Sequence, residues 1–283
     1  MSSCPACGEE GAGAALPGFE ACGHCGLVFN VERYFGEPLY EEVFEDESYR
    51  DAKAGLFARA LDRLALAVPG KGRLLDVGCA TGEFLKAAAA RGWRAEGVEL
   101  NPVLALKAEA AGFTVTPLPV EKAMLDKNAY DAVTVFEVFC LMDKPAAAAA
   151  ELFKIMRPGG MLYVREFNAS FHMPLAWPII SGLFDSLDLR PGVLHNLNFR
   201  ARTLKLMLEK AGFTDVSLTN SRSTTGDPYH TGGRLGVFLM SGLKVLYYTL
   251  AQAVWYASFG RFCAGSALTV TVRKPWPSDT HSA

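Results

Sequence analysis

The sequence predicts an α/β fold: a seven-stranded, mostly parallel sheet with helices on both faces, preceded by a small metal-stapled unit. Three observations predict it. From residue 73 onward short β-type runs alternate with helical stretches, the pattern of a parallel sheet covered on both sides. At the first alternation stands a glycine-bearing strand-to-helix turn, LLDVGCATGEF at 74–84. Ahead of both, Cys4, Cys7, Cys22 and Cys25 form two C-x-x-C pairs.

Residues 1–30 are rich in Cys and Gly, and a segment of about 30 residues cannot bury a core without a staple. The C-x2-C-x14-C-x2-C spacing suits structural zinc held by four thiolates, with Gly8 and Gly26 free to turn backbone amides toward the sulfurs. A site filled by four protein ligands has no open position for catalysis. Residues 31–53 are acidic and aromatic (Tyr34, Phe35, Tyr40, Phe44, Tyr49) and read as a linker. The next stretch, 54–67, repeats Leu56, Ala60, Leu64 and Ala67 at helical spacing.

RLLDV, AEGVEL, FTVTPL, YDAVTVFEV and GMLYVREF then read as strands, separated by the helical patterns EFLKAAAARG, NPVLALKAEAAG and KPAAAAAELFKIMRPGG. After a helix at 202–211 come TDVSLTN and ALTVTVR. The large domain is expected at 54–274, with a tail at 275–283. Two insertions interrupt it: 168–200, which reads as a cap, and 220–264, which carries a long apolar run.

A chain of 283 residues, half of them apolar, can build a full core. Its formal net charge of -2 gives no global field for nucleic acid or anionic lipid. Seven cysteines, four of them in the two pairs and three scattered singly, are not a disulfide framework. MSSCPACGEE lacks the basic and apolar regions of a secretory leader, so the reducing cytoplasm is the expected compartment.

Glycines at a strand-to-helix turn let backbone N–H groups approach a ligand, and the helix N-terminus behind them favours an anion. Glu99, at the end of the second strand, can take two ribose hydroxyls in a bidentate hydrogen bond. A nicotinamide-dinucleotide enzyme fits this much equally well. In this order and spacing, however, D-x-G-x-x-x-G (Asp76, Gly78, Gly82), GVELNP, YDAVTVFEV and RPGGMLYV resemble the class I S-adenosylmethionine-dependent methyltransferases, a Rossmann-like family. The resemblance runs over residues 55–220 and points to the ubiquinone-methyltransferase-like branch.

It implies that Asp76 and the backbone at Gly78 and Cys79 hold the methionine end of the cofactor, and that Glu99 holds the ribose. Leu100 and either Glu121 or the backbone of Val120 would meet adenine, while Phe136 and Glu137 border the sulfonium. Members of the branch often read V-L-E-H-L after the fourth strand. Here Val138, Phe139, Cys140, Leu141 and Met142 follow, so no Glu-His pair can be carried over. His195 with Phe199 matches the branch's His and aromatic four residues apart ahead of a helix, which makes His195 the candidate general base and Phe199 a candidate substrate contact. A structural His bracing the substrate loop is the alternative. His172 and His230 lie in the same variable regions.

The ribbon with its EPLYEEVFEDESYR linker also resembles a group of bacterial methyltransferases acting on sugars, glycans and secondary metabolites, in which linker tyrosines lie near the active site. Tyr40 and Tyr49 would take that place; ordinary packing accounts for them equally. Some ribosomal-RNA methyltransferases also join a ribbon to this fold. Against RNA, residues 1–53 hold eleven acidic residues against Arg33, Arg50 and Lys53. The expected acceptor is a small molecule, a glycan or a lipid-linked intermediate, with S-adenosyl-L-methionine and structural Zn(2+) as cofactors. An RNA methyltransferase and a scaffold that binds the cofactor without turnover are the alternatives.

In the second insertion, residues 235–262 carry only Lys244 and Arg261 as charges. Ser241, Lys244, Tyr248 and Gln252 fall at spacings of three and four, a polar stripe on one helix face. The final strand must return to the sheet, which argues against a spanning helix. A lid over the substrate, or an amphipathic helix resting peripherally on the inner face of a membrane, are the two expectations.

Overall fold

The computed structural model describes residues 3–31, 47–180, 195–222 and 234–277, and the side chains within these spans except 47–52, 175–180 and 234–241. Tyr40 and His230 lie outside the described residues. In chain order the elements are β1 (Ala12–Leu16), β2 (Phe19–Cys22), β3 (Val28–Asn30), α1 (Glu47–Ala67), β4 (Arg73–Val77), α2 (Glu83–Ala90), β5 (Arg94–Val98), α3 (Pro102–Ala110), β6 (Thr114–Thr116) and β7 (Tyr130–Phe136). There follow α4 (Pro145–Ile155), β8 (Met156–Phe167), α5 (Ala169–Ile180), β9 (Leu197–Asn198), α6 (Ala201–Lys210), β10 (Thr214–Ser221), α7 (Arg234–Ala257) and β11 (Ala267–Arg273).

Seven strands form the main sheet in the order β10-β11-β8-β7-β4-β5-β6. Neighbours from β8 to β6 are parallel, and β11 runs antiparallel between β8 and β10. Because side chains alternate across a strand, the two faces of the sheet read out of phase. Leu74 of β4 joins Leu61 and Leu64 of α1 and Phe84 of α2 on one face. Leu75 and Val77 join Leu152 of α4 and Leu204 and Leu208 of α6 on the other.

Two boundaries differ from the sequence reading. Helix α1 begins at Glu47, inside the segment read as a linker, so Lys53 and Tyr49 are helical residues. Strand β8 begins at Met156 and runs through the Arg-Pro-Gly-Gly turn read as a helix end. An irregularity in its register with β7, between the pairings of Tyr130 and Ala132, gives Pro158 a place where no ladder donor is required.

The N-terminal unit is not a separate body. Its strands extend into a four-stranded sheet, β1-β2-β3-β9, whose last strand comes from the far side of the first insertion. Val28 pairs with Asn198 and Phe29 with Leu197. The Cys25 carbonyl accepts from Thr203 Oγ1 at 2.9 Å, and the Cys7 carbonyl from Lys210 Nζ at 2.7 Å, both on α6. All four cysteines, Leu27 and Phe29 are buried in the same apolar cluster as α4 and α6.

Candidate functional site

The first site lies at the C-terminal ends of β4, β5 and β7, where strand order reverses and a crevice opens in sheets of this type. Gly78 follows β4 with φ 75°, and a Cβ there would stand 2.5 Å from Val138 Cγ2. Only glycine fits that turn. Its N–H donates to the Val98 carbonyl at 2.7 Å, as does that of Cys79 at 3.2 Å, which binds the turn to the end of β5. Gly82, at φ 86°, is the N-cap of α2.

Glu99 stands one residue beyond β5 and is held by the loop itself. Its Oε2 accepts from the Ala80 N–H at 2.9 Å and its Oε1 from the Asn101 N–H at 2.9 Å. Each oxygen keeps a further lone pair for a ligand hydroxyl. Burial raises its pKa, partly offset by these amides. Asp76 is buried on β4 and accepts from Thr134 Oγ1 of β7 at 2.6 Å. Burial pushes its carboxyl up to about 7, with the Thr134 hydrogen bond opposing. Leu100 is exposed beside this loop, and Val120 lies buried with Glu121 in a short 3-10 turn after β6.

Across the crevice, Phe136 ends β7 in an aromatic cluster with Phe57, Phe84 and Tyr163. Glu137 next to it adopts φ 60°, a left-handed conformation uncommon outside glycine. Its carboxylate meets Lys53 Nζ of α1 at 3.2 Å and the Arg165 guanidinium of β8. Lys53 and Arg165 were not singled out from the sequence. The readable signal was the charged pair Arg165-Glu166 closing the apolar run GMLYV at 160–164.

A second group gathers at the C-terminal end of β8. Glu166 is fully buried, with no hydrogen-bond partner of good geometry for either oxygen among the described residues, and burial pushes it up to about 7. The Cys140 thiol and nearby backbone amides act on it from longer range and oppose that shift. The His195 ring stacks on Phe167, centroids 4.8 Å apart, with Nε2 buried and unpartnered among the described residues. Burial, helped by nearby His172, lowers its pKa to about 4, so the imidazole is neutral at pH 7. Phe199 is buried on the ribbon side of this group, near Phe139 at 6.3 Å between centroids. Tyr49 falls in the first turn of α1.

The four ribbon cysteines form the third site. Their Sγ atoms all lie within 4.8 Å of one another, with Cys4–Cys25 and Cys7–Cys22 at 3.6 Å. A tetrahedral zinc with bonds of about 2.3 Å needs sulfurs about 3.8 Å apart, so the donor set fits. Burial raises Cys7 to about 11, while a hydrogen bond from Cys25 lowers Cys4 to about 5. Four buried thiols this close cannot all ionise unless a cation offsets the charge.

A family model described as a methyltransferase domain matches residues 48–218. The chain is 28% identical over 213 residues to the S-adenosyl-L-methionine-dependent Diels-Alderase of Neonectria sp. (strain DH2), covering 68% of this chain and 78% of that protein. Among solved structures it is similar to an S-adenosylmethionine-dependent methyltransferase from Mesorhizobium loti, with TM-score 0.52 and 15% identity, over 78% of this chain and 97% of that one. It is also similar to phosphoethanolamine N-methyltransferase 2 of Haemonchus contortus in complex with S-adenosyl-L-methionine, with TM-score 0.51 and 15% identity, over 85% of this chain and 61% of that one. These structural likenesses are of fold.

Proposed function

The chain belongs to the family of methyltransferase domains, and from that membership we propose that it moves a methyl group from S-adenosyl-L-methionine to a hydroxyl oxygen of a small molecule, a glycan or a lipid-linked intermediate. When bound, the cofactor supplies an electrophilic methyl on a positively charged sulfur. The residues present fit it. Asp76 and the backbone carbonyls at Gly78 and Cys79 would take its amino group, since the N–H groups of both residues already donate to the Val98 carbonyl. Glu99, already oriented by two amides, would take the ribose hydroxyls. Leu100, Val120 and Glu121 would flank adenine, and Phe136 and Glu137 the sulfonium. The four-thiolate cluster would hold structural zinc.

The observation that carries an oxygen acceptor is His195. A hydroxyl oxygen becomes strongly acidic as its bond to the methyl carbon forms. A neutral imidazole of lowered pKa, its Nε2 without a partner among the described residues, can orient the hydroxyl and accept its proton at that stage. Phe167 stacks on the ring and sets its plane, while the Asn198 side chain bonds both the N–H and the carbonyl of His195. With labelled cofactor and fractionated host extract, the reading expects label in the lipid, glycan or small-molecule pool. Label in RNA alone would overturn the acceptor class.

A second reading is favoured by the likeness to the Diels-Alderase together with the apolar Val138–Met142 stretch that replaces a Glu-His pair. In it the cofactor is bound without methyl turnover. S-adenosylhomocysteine accumulates in the first reading and does not in the second.

A further inference from the structure

We infer that the outward face of α7 and the turn after it form a docking surface for an anionic phospholipid bilayer. Helix α7 is amphipathic in the reverse of the usual sense. A surface helix normally turns apolar residues to the core and polar ones to water. Here the polar atoms face the domain: Asn220 Nδ2 donates to the Ala251 carbonyl at 2.9 Å and to Gln252 Oε1 at 3.0 Å. Trp255 Nε1 donates to the Leu218 carbonyl at 3.1 Å, Tyr247 Oη to the Ala264 carbonyl at 2.6 Å, and the Arg222 guanidinium lies over the Tyr248 ring at 5.3 Å.

The opposite face is apolar and open. Leu243, Leu246, Leu250 and Val254 recur at helical spacing along one line, and each is exposed, as are Val245 and Tyr256. Monomeric soluble proteins seldom leave such a contiguous apolar strip uncovered. Phe259 adds an independent observation. It ends the helix at φ 52°, an unusual conformation for an aromatic residue, held by its N–H bonding the Tyr256 carbonyl and by Gly260 bonding the Trp255 carbonyl. That backbone presents a ring that is 92% exposed, with Phe262 67% exposed beside it.

Charge chooses the bilayer as the occupant. No Asp or Glu occurs from residue 228 to 266, a stretch that carries Arg234, Lys244 and Arg261 in a chain whose formal net charge is -2. An apolar helix face that carries half-buried Lys244, no acidic residue, and exposed Arg261 beside exposed aromatics at one end matches an anionic interface with its apolar boundary beneath. No helix among the described residues is long and apolar enough to cross a membrane, so the surface rests on the bilayer rather than spanning it. The surface is independent of what the catalytic site transfers, so vesicle binding and methyl turnover can fail separately.

The test is co-sedimentation of the full zinc-loaded chain with phosphatidylcholine vesicles, with and without phosphatidylglycerol. The expected result is pelleting with the anionic vesicles, weakened by salt. Leu246→Glu and, separately, Phe259→Ser should each lower partitioning about tenfold or more while leaving S-adenosylhomocysteine binding unchanged. Phe259→Ser has no packing to lose, so it reads the surface without the fold. Wild-type protein that stays in the supernatant with both vesicles overturns the inference, as does equal pelleting of the two variants. A dimer in sedimentation velocity that Leu246→Glu dissolves, without vesicle binding, also overturns it and assigns the face to a second copy.

Discussion

The Asn198 side-chain amide donates to the Val28 carbonyl at 3.3 Å, joining residues 170 positions apart in the chain. The same amide donates to the His195 carbonyl at 2.7 Å, and its Oδ1 accepts from the His195 N–H at 3.1 Å. The third strand of the metal unit and the candidate base are therefore held by one buried side chain. Whatever loosens the ribbon reaches His195 through this side chain and through the pairing of β3 with β9 beside it.

Replacing Asn198 with alanine leaves the Val28 carbonyl, the His195 carbonyl and the His195 N–H without this partner. Each unsatisfied buried group costs about 1–3 kcal/mol. A fall in melting temperature of several degrees is expected in differential scanning calorimetry. An unchanged melting temperature would mean that water replaces the amide.

Zinc analysis of the purified chain should find one ion, released by chelation or by Cys25→Ser. Loss of the metal frees β3 and with it β9, so substrate affinity should fall more than cofactor affinity, read by separate titrations. Equal loss of both, with the large domain still folded, would assign the ribbon a purely structural role.

Burial holds Asp76 mostly protonated below about pH 7, whereas in the unfolded chain it ionises near 3.8. The unfolded state then binds fewer protons in this window. The contribution of Asp76 to stability is full below pH 3.8 and is lost as pH rises through about 7. A bound ammonium group favours the ionised form, so cofactor affinity should strengthen as pH rises through the same range. Asp76→Asn should weaken binding and flatten that dependence, measured by calorimetric titration at several pH values.

His195→Ala should slow transfer about 10²–10⁴-fold at saturating acceptor while leaving cofactor affinity unchanged. Turnover of the alanine variant at saturating acceptor separates a base from a brace. Burial lowers His195 to about 4, so its neutral form prevails above that pH and no acid limb near 6.5 belongs to it. Near wild-type turnover by the alanine variant would leave His195 as a support for the loop.

Much of the fold was legible because it rests on local patterns: strand and helix periods, Gly78 and Gly82 at a turn, and cysteine spacing. The residues joined across distance were not. Nothing in residues 28–30 announces a partner at 197–198, since a three-residue strand carries little periodic signal. Lys53 was read as part of a linker because the helix that carries it to Glu137 starts without an apolar repeat. The polar stripe of residues 235–262 was visible in the sequence, but periodicity specifies a stripe and not which side of it faces the protein. That was decided by Asn220 and Trp255, whose partners lie on different elements.

The pairing of β3 with β9 also imposes an order of events during synthesis. At about 5–20 residues per second, the 170 residues between Val28 and Asn198 take about 10–30 s to emerge. Throughout that interval β3 is an open strand edge on a nascent chain, and its metal ligands are already outside. Early capture of zinc would keep that edge in place until its partner arrives, so metal supply would govern the yield of correctly assembled protein at the ribosome.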